Sequence, residues 1–321
     1  MNILGMPEES TGHEITPSDS IKAYAKPKVL IAISTYNGAK WMEKQLDSIF
    51  SQIGIEIQVI VRDDGSSDGT EQVIANHPNR ELITLYRGHN LGPSASFFQL
   101  MLLSRGFKFD YLGFSDQDDI WLPEKMIEGI KFLSVANAKV YASKRDSFVV
   151  QNEKIKIFKK SSNKIVPSLM NSFFENVFHG STLILTKEYV EVLNAIIPLG
   201  MEVEYDNWIY SISCYHKVAA FDQRSFVLHR LHESNVSTYK KNLLLKLKMF
   251  DQNWKRKLSN MRFAIDLSVT EGKPLDVEID LNVIISSSDS LKMIRALSIR
   301  RVRQKMIDDI LLRVMLFLRN L

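Results

Sequence analysis

From Lys28 onward the chain alternates short, unbroken apolar runs with longer segments of helical period. Val29-Leu30-Ile31-Ala32-Ile33 follows Pro27 and ends in Ser34-Thr35-Tyr36-Asn37-Gly38, the pattern of a strand buried on both faces that opens into a loop. Trp41, Leu46, Ile49 and Phe50 then recur at helical spacing. Ile57–Val61 reads as the next strand and ends at Asp63-Asp64-Gly65-Ser66, with Val73 and Ile74 in a second helix. Leu82–Tyr86 is a third strand, and Pro93 opens a helix to about Leu103. Tyr111–Phe114 is a fourth strand, running into Ser115-Asp116-Gln117-Asp118-Asp119. Such alternation predicts an α/β fold with right-handed crossovers, a mostly parallel central sheet and helices on both faces. Ligands of such sheets sit beyond the carboxyl ends of the strands, where every polar cluster named above falls.

The second half is less regular. Lys139–Val150 predicts a pair of strands with a turn at Lys144-Arg145-Asp146. A short helix is expected over Asn171–Asn176, before His179-Gly180-Ser181, and Leu183–Leu185 is strand-like. Helices are expected over Lys187–Ala195 and Tyr205–Tyr215, and a last strand over Ala219–His229 leads to Arg230-Leu231-His232. Beyond Val236 the pattern becomes amphipathic helix, with Leu243, Leu244, Leu247 and Phe250 on one face and lysines around them. The expected organisation is a loose arm over 1–26, a folded α/β domain over 27–235, in two halves at 27–135 and 136–235, and a basic helical region over 236–321.

Composition narrows the class. The 321 residues are 45% hydrophobic and 24% charged, ordinary values for a folded chain. A single cysteine, Cys214, excludes a disulfide framework and a multi-cysteine metal site. The apolar runs are far shorter than the ~18 residues of a membrane span. Glu8, Glu9 and Glu14 at the start, with no apolar core, argue against a secretory signal, so a cytoplasmic protein is expected. Net charge is +4, but unevenly spread. Residues 236–321 hold 17 Lys+Arg against 9 Asp+Glu, or +8, leaving −4 for residues 1–235. A basic tail on an acidic body invites peripheral contact with an anionic membrane surface, on the inner face of the cytoplasmic membrane, or a helical oligomerisation unit. No nucleic-acid module is recognisable.

Three carboxylates within Asp116-Gln117-Asp118-Asp119 repel one another unless a cation neutralises them. Magnesium-type ions take one or two carboxylates plus substrate phosphates, so a strand end of this composition suits a metal–diphosphate site. Asp119 has an equal claim as a helix N-cap ahead of Ile120-Trp121-Leu122-Pro123. Asp64, Ser66, Asp68 and Gly69 match the start of a calcium loop, but Ala75 stands where that loop needs a bidentate glutamate. The segment reads instead as a turn in which Asp64 accepts from a ligand such as a nucleobase imide and Asp68 caps the next helix. Neither Gly-rich phosphate cradle follows the first strand, which argues against P-loop hydrolases and dinucleotide dehydrogenases.

The four motifs in order, Ala32-Ile33-Ser34-Thr35-Tyr36-Asn37-Gly38, Asp63-Asp64-Gly65-Ser66-Ser67-Asp68, Asn90-Leu91-Gly92 and Ser115-Asp116-Gln117-Asp118-Asp119-Ile120-Trp121, resemble the family 2 inverting glycosyltransferases of GT-A fold. The wording is most similar to their rhamnosyltransferase-type subgroup, over roughly residues 28–235. The resemblance implies that Ser34, Thr35, Tyr36, Asp64, Asp116 and Gln117 bind the nucleotide. It implies that Asp118 and His232 hold Mg2+ or Mn2+, and that Asp206, in Tyr205-Asp206-Asn207-Trp208, is the catalytic base. Gly180, Asp119, Trp208 and Arg230 would then border the donor or acceptor sugar. The family's usual His or Glu before that aspartate is Tyr205 here. The implied reaction moves a sugar from a nucleotide-diphospho-sugar, dTDP-rhamnose or a UDP-hexose, to a glycan or lipid-linked acceptor in surface polysaccharide assembly (lipopolysaccharide or capsule). Two alternatives stay open: a sugar nucleotidyltransferase and a non-catalytic nucleotide-sugar binding protein.

Overall fold

The computed structural model describes residues 25–151, 154–158, 164–198, 200 and 202–232. The expected arm up to residue 24 and the basic region 236–321 lie outside the described residues.

In chain order the first half runs β1 (Lys28–Thr35), α1 (Ala39–Phe50), β2 (Glu56–Asp63), α2 (Thr70–Ala75), β3 (Ile83–Arg87), α3 (Pro93–Leu103), β4 (Tyr111–Ser115) and β5 (Ile120–Trp121). Then follow α4 (Lys125–Ala136), β6 (Val140–Gln151), β7 (Lys154–Phe158), α5 (Leu169–Ser172), β8 (Ile184–Thr186), α6 (Lys187–Ala195), α7 (Tyr205–Tyr215) and β9 (Ala219–Arg230). They form one nine-stranded sheet in the order β3-β2-β1-β4-β8-β6-β9-β5, with β7 paired to β6. The first four strands are all parallel, as their apolar runs predict. Antiparallel pairings enter with β8, β7 and β5.

Why the sheet is layered follows from residue alternation. Leu30, Ala32, Leu112 and Phe114 enter one core with Phe97, Met101, Trp208 and Ile212. Val29, Ile31 and Ile33 enter the other with Met42, Leu46, Trp121 and Met126. Both faces of β1 are thus covered, and the strand is fully withdrawn from water from Val29 to Ile33.

The expected strand pair with a turn at Lys144-Arg145-Asp146 is instead a single twelve-residue strand, β6. Its register against β9 slips between Ser143 and Lys144 and again between Lys144 and Asp146. The polar triplet occupies a bulge, which bends a strand and re-aims its side chains without ending it. Beyond it β7 pairs back on Ser147–Gln151. The helix expected over Asn171–Asn176 lies earlier, at Leu169–Ser172, where the Ser168 hydroxyl accepts from the Asn171 N–H.

Candidate active site

Strand order reverses between β1 and β4. The chain steps outward from β1 to β2 and β3, then returns to place β4 on the other side of β1. The crevice beyond those two carboxyl ends is where an open α/β sheet binds ligands. Gln117 closes it from below. Its Oε1 accepts from the Thr35 hydroxyl at 2.7 Å and the Tyr36 N–H at 2.9 Å, and its Nε2 donates to the Tyr36 carbonyl at 3.2 Å. Ser34 donates to Ser96 at 2.8 Å, and the Tyr36 ring stays 48% exposed at the rim. Of the predicted nucleotide residues, Thr35 is therefore spent on the clamp, while Tyr36 presents an open aromatic face.

The loop after β1 is stitched to the loop after β2. Asn37 N–H donates to Ser66 Oγ, Ser67 N–H to Asn37 Oδ1, Gly38 N–H to Thr70 Oγ1 and Ala39 N–H to Asp68 Oδ2, all within 3.0 Å. Asp68 thus ties two loops together as well as accepting from the Thr70 N–H at the start of α2.

Asp64 is tied to the loop before α3. It is buried, pairs with Arg62, and its Oδ2 accepts from the N–H groups of Leu91 and Gly92, each at 2.9 Å. Those bonds hold the Asn90-Leu91-Gly92 loop beside the crevice and occupy three of the roughly four acceptor sites of the carboxylate. Gly92 bends that loop at φ 81°, open to glycine without strain, into Pro93 at the head of α3.

The acid cluster at the end of β4 is gathered as predicted. Asp118 Oδ2 lies 2.7 Å from His232 Nε2, and His232 stacks on Trp41 at 4.2 Å. Asp119 does not cap a helix, since α4 starts only at Lys125, after the two-residue strand β5. Its Oδ1 instead lies 2.8 Å from His229 Nδ1, and the residue is 1% exposed. It therefore pins β9 against the cluster and has no surface left for a sugar. Arg230 donates from Nε to the Asp118 carbonyl at 2.9 Å and sits 4.5 Å over the Phe148 ring. Burial, then repulsion from Asp119 and Asp118, pushes the Asp116 carboxyl well above its ordinary value. Burial and Asp119 likewise raise Asp118, with His232 opposing. Burial also works against ionised Asp119, but the His229 hydrogen bond and charge and the Arg145 charge hold it below the ordinary range.

Among the described residues no group of three or more His, Cys, Asp or Glu is arranged to hold a metal. Two donors, Asp118 Oδ2 and His232 Nε2, do converge. Ligands ~2.1 Å from an octahedral ion lie about 3 Å apart when adjacent, close to the separation found here. The donor set therefore fits an ion whose remaining positions go to phosphate oxygen and water, and its charge would answer the repulsion that raises Asp116 and Asp118.

Asp206 stands on the first turn of α7. Its Oδ2 accepts from the Gly180 N–H at 3.1 Å and its Oδ1 from the Asn207 N–H at 2.8 Å. These bonds favour the ionised form, but burial and then the charge of Glu204 outweigh them and push its pKa up to about 6. Its charge is one of those that raise Asp116, so it lies within electrostatic reach of the β4 acids from another element. Gly180 supports it by close approach: a Cβ there would collide with the Tyr205 hydroxyl. Tyr205 is buried, stacked on Phe97 at 4.2 Å, and within reach of the charges of Asp116 and Asp206.

Trp208 is a correction. It is fully buried, edge-on to Phe98 at 5.4 Å, and has no face for a sugar. It lies two positions beyond Asp206, which turns it from the chamber into the core between α7 and α3. Trp121 is core, with Lys125 Nζ 3.5 Å from its ring centre, and burial lowers that ammonium to about 7. Sequence reasoning missed Arg145, whose charge acts on Asp116 and Asp119 from the β6 bulge, and His229, the partner of Asp119. The bulge hid the first. The polar residues at the end of an otherwise apolar strand were the available signal for the second.

Residues 30–183 match the family model for glycosyl transferase family 2. Asp206 and His232 lie beyond the matched segment. The chain is 29% identical over 215 residues to the dTDP-rhamnosyl transferase RfbG of Shigella flexneri, covering 63% of this chain and 72% of that one. Among solved structures it resembles S. aureus TarS 1–349 in complex with UDP-GlcNAc, at TM-score 0.55 and 16% identity over 84% of this chain and 79% of that one. It also resembles the mannosyltransferase PcManGT of Pyrobaculum calidifontis, in complex with GDP-Man and Mn2+, at TM-score 0.51 and 14% identity over 93% and 82%. These likenesses establish the GT-A fold.

Proposed function

Because the chain is a family 2 glycosyltransferase of rhamnosyltransferase-like type, we propose that it transfers a sugar with inversion from a nucleotide-diphospho-sugar to a hydroxyl acceptor. The observation that carries this reading is Asp206, a carboxylate on the first turn of α7 held by the Gly180 and Asn207 N–H groups, with a pKa raised to about 6 and its charge felt by Asp116 of the β4 acid cluster. Inversion is a single displacement, so the base and the leaving-group site must flank the sugar from opposite sides. Asp206 takes the acceptor hydroxyl's proton as the new glycosidic bond forms. Gly180 N–H fixes the carboxylate's direction, and its raised pKa keeps it basic enough at neutral pH to receive the proton.

The departing diphosphate belongs beside Asp118 and His232. A divalent ion, Mg2+ or Mn2+, would be held by those two residues and would supply charge neutralisation for the leaving group. Tyr36 stacks on the base, and the Asn90–Gly92 loop, set by Asp64, borders it. The RfbG relationship supports dTDP-rhamnose as donor, with a UDP-hexose as the competing choice. We place the nucleotide half at 27–135 and the acceptor half at 136–235, with a glycan or lipid-linked acceptor in surface polysaccharide assembly. Region 236–321 is assigned to contact with the inner membrane surface or another subunit.

A thermal-shift screen of nucleotide sugars, with and without Mn2+, tests the donor site, since a bound donor stabilises the fold by mass action. One nucleotide sugar is expected to raise Tm only with the cation, and Asp118→Asn is expected to abolish that rise. Cation-independent stabilisation would remove the metal from the scheme. Product release without any glycosidic bond, as pyrophosphate from a nucleoside triphosphate, would favour a nucleotidyltransferase instead.

A further inference from the structure

The β6–β7 hairpin runs past the end of β8 and carries an uncovered apolar face. β8 pairs only with Val140 and Tyr141 at the start of β6, whereas β7 pairs with Ser147–Gln151 at its far end. Directly opposed residues of an antiparallel pair share a face. Phe148 opposes Ile157 and Val150 opposes Ile155, so these four lie together. Phe148 is buried under Arg230, but Val150, Ile155 and Ile157 are 50%, 55% and 48% exposed. Phe158, at the end of β7, is also exposed. Contiguous apolar exposure on one face of an edge strand is a candidate contact surface.

Charge selects the partner. Lys154 and Lys156 alternate with the isoleucines, and the sequence from 154 to 164 holds five lysines and no acid. Arg230 and Lys44 border the same face, lining with Ile120, Phe148, Val150 and Ile155 a cleft of about 390 Å³. That cleft opens beside Asp118, whose carbonyl Arg230 binds. A second copy docked face to face would bring these same cations together, and the net-basic 236–321 region finds no complementary charge at this local patch. An anionic bilayer satisfies both properties at once. Val150, Ile155 and Ile157 enter the headgroup–acyl boundary, and the lysine stems at the alternate positions reach back to the phosphates.

We propose that the β6–β7 hairpin docks on an anionic membrane surface, seating its apolar face in the interface and the acid cluster beside it. This goes beyond the contact assigned to region 236–321 and does not depend on the transfer reaction. The test is flotation of the full chain with phosphatidylcholine vesicles, with and without phosphatidylglycerol. The wild type is expected to bind the anionic vesicles and to release as salt rises. Ile155→Ser with Ile157→Ser is expected to weaken binding at least about tenfold, from the apolar area withdrawn. Lys154→Gln and Lys156→Gln are expected to cost about fivefold each. The substituted side chains are exposed, so an unchanged melting temperature verifies the fold. Undiminished binding by the Ser variant overturns the proposal and leaves region 236–321 as the contact. Equal binding to neutral vesicles overturns the charge argument. A Ser variant that changes only oligomeric state, or only retention on heparin, assigns the face to another copy or to a soluble polyanion and overturns it too.

Discussion

Replacing Asp206 with Asn should make the protein inactive and, at alkaline pH, more stable. The folded-state pKa of Asp206 is raised from 3.8 to about 6. A group raised in this way favours the folded state at low pH, where both states hold the proton. The advantage is lost as pH rises through the folded pKa, and above it the fold carries an ionised, partly buried carboxylate. The full difference is about 3 kcal/mol. Linkage places about 1.4 kcal/mol of it between pH 8 and pH 5. Asn cannot ionise and keeps one acceptor oxygen for either Gly180 or Asn207. The variant's stability relative to wild type should therefore fall by about 1.4 kcal/mol on going from pH 8 to pH 5. In thermal melts that is roughly 3–6 °C of relative Tm. The assay is calorimetry of both proteins across that range. A Tm difference that stays constant with pH would refute a raised Asp206 pKa, and with it the reason for choosing this residue as the base.

Glu204→Gln should shift the acidic limb of the pH–rate profile to lower pH, because the Glu204 charge contributes to the rise at Asp206. Gly180→Ala should destabilise the fold by about 1–3 kcal/mol and impair transfer, since its methyl would meet the Tyr205 hydroxyl. Adding Tyr205→Phe should recover part of the stability, measured as a positive coupling in a double-mutant cycle. Trp208→Ala should cost about 3–5 kcal/mol in denaturant melts, leaving donor affinity unchanged under conditions where the fold persists. Lys125→Met should raise Tm more at pH 6 than at pH 9. A buried lysine with a folded pKa near 7 carries its full penalty below that pH, and the penalty shrinks as pH climbs toward the unfolded value.

The parallel half of the fold was readable because β1, β2 and β4 are covered on both faces, and such strands spell themselves as unbroken apolar runs. The crowding of Asp116, Asp118 and Asp119 was legible because carboxylates gathered at a strand end repel one another, whereas Asp206, on α7, was singled out only through the resemblance. What escaped depended on tertiary partners. Lys144-Arg145-Asp146 reads as a turn in any local window, and only pairing with β9 on one side makes it a bulge. Asp64 shows one carboxylate in sequence, but its partners lie at Arg62, Leu91 and Gly92, and the last two reach it only through the fold. Trp208 sits in a motif near the base, yet its position on α7 sends it to the core. Helical direction outweighed motif proximity there.

The reciprocal hydrogen bonds that sew Asn37, Gly38 and Ala39 to Ser66, Asp68 and Thr70 have a thermodynamic corollary. Immobilising this rim is completed while the polypeptide collapses, well before any guest arrives. Capture of a donor should then proceed with a small entropic toll on that side of the crevice, and discrimination among nucleobases becomes a matter of rigid shape more than of loop adaptation.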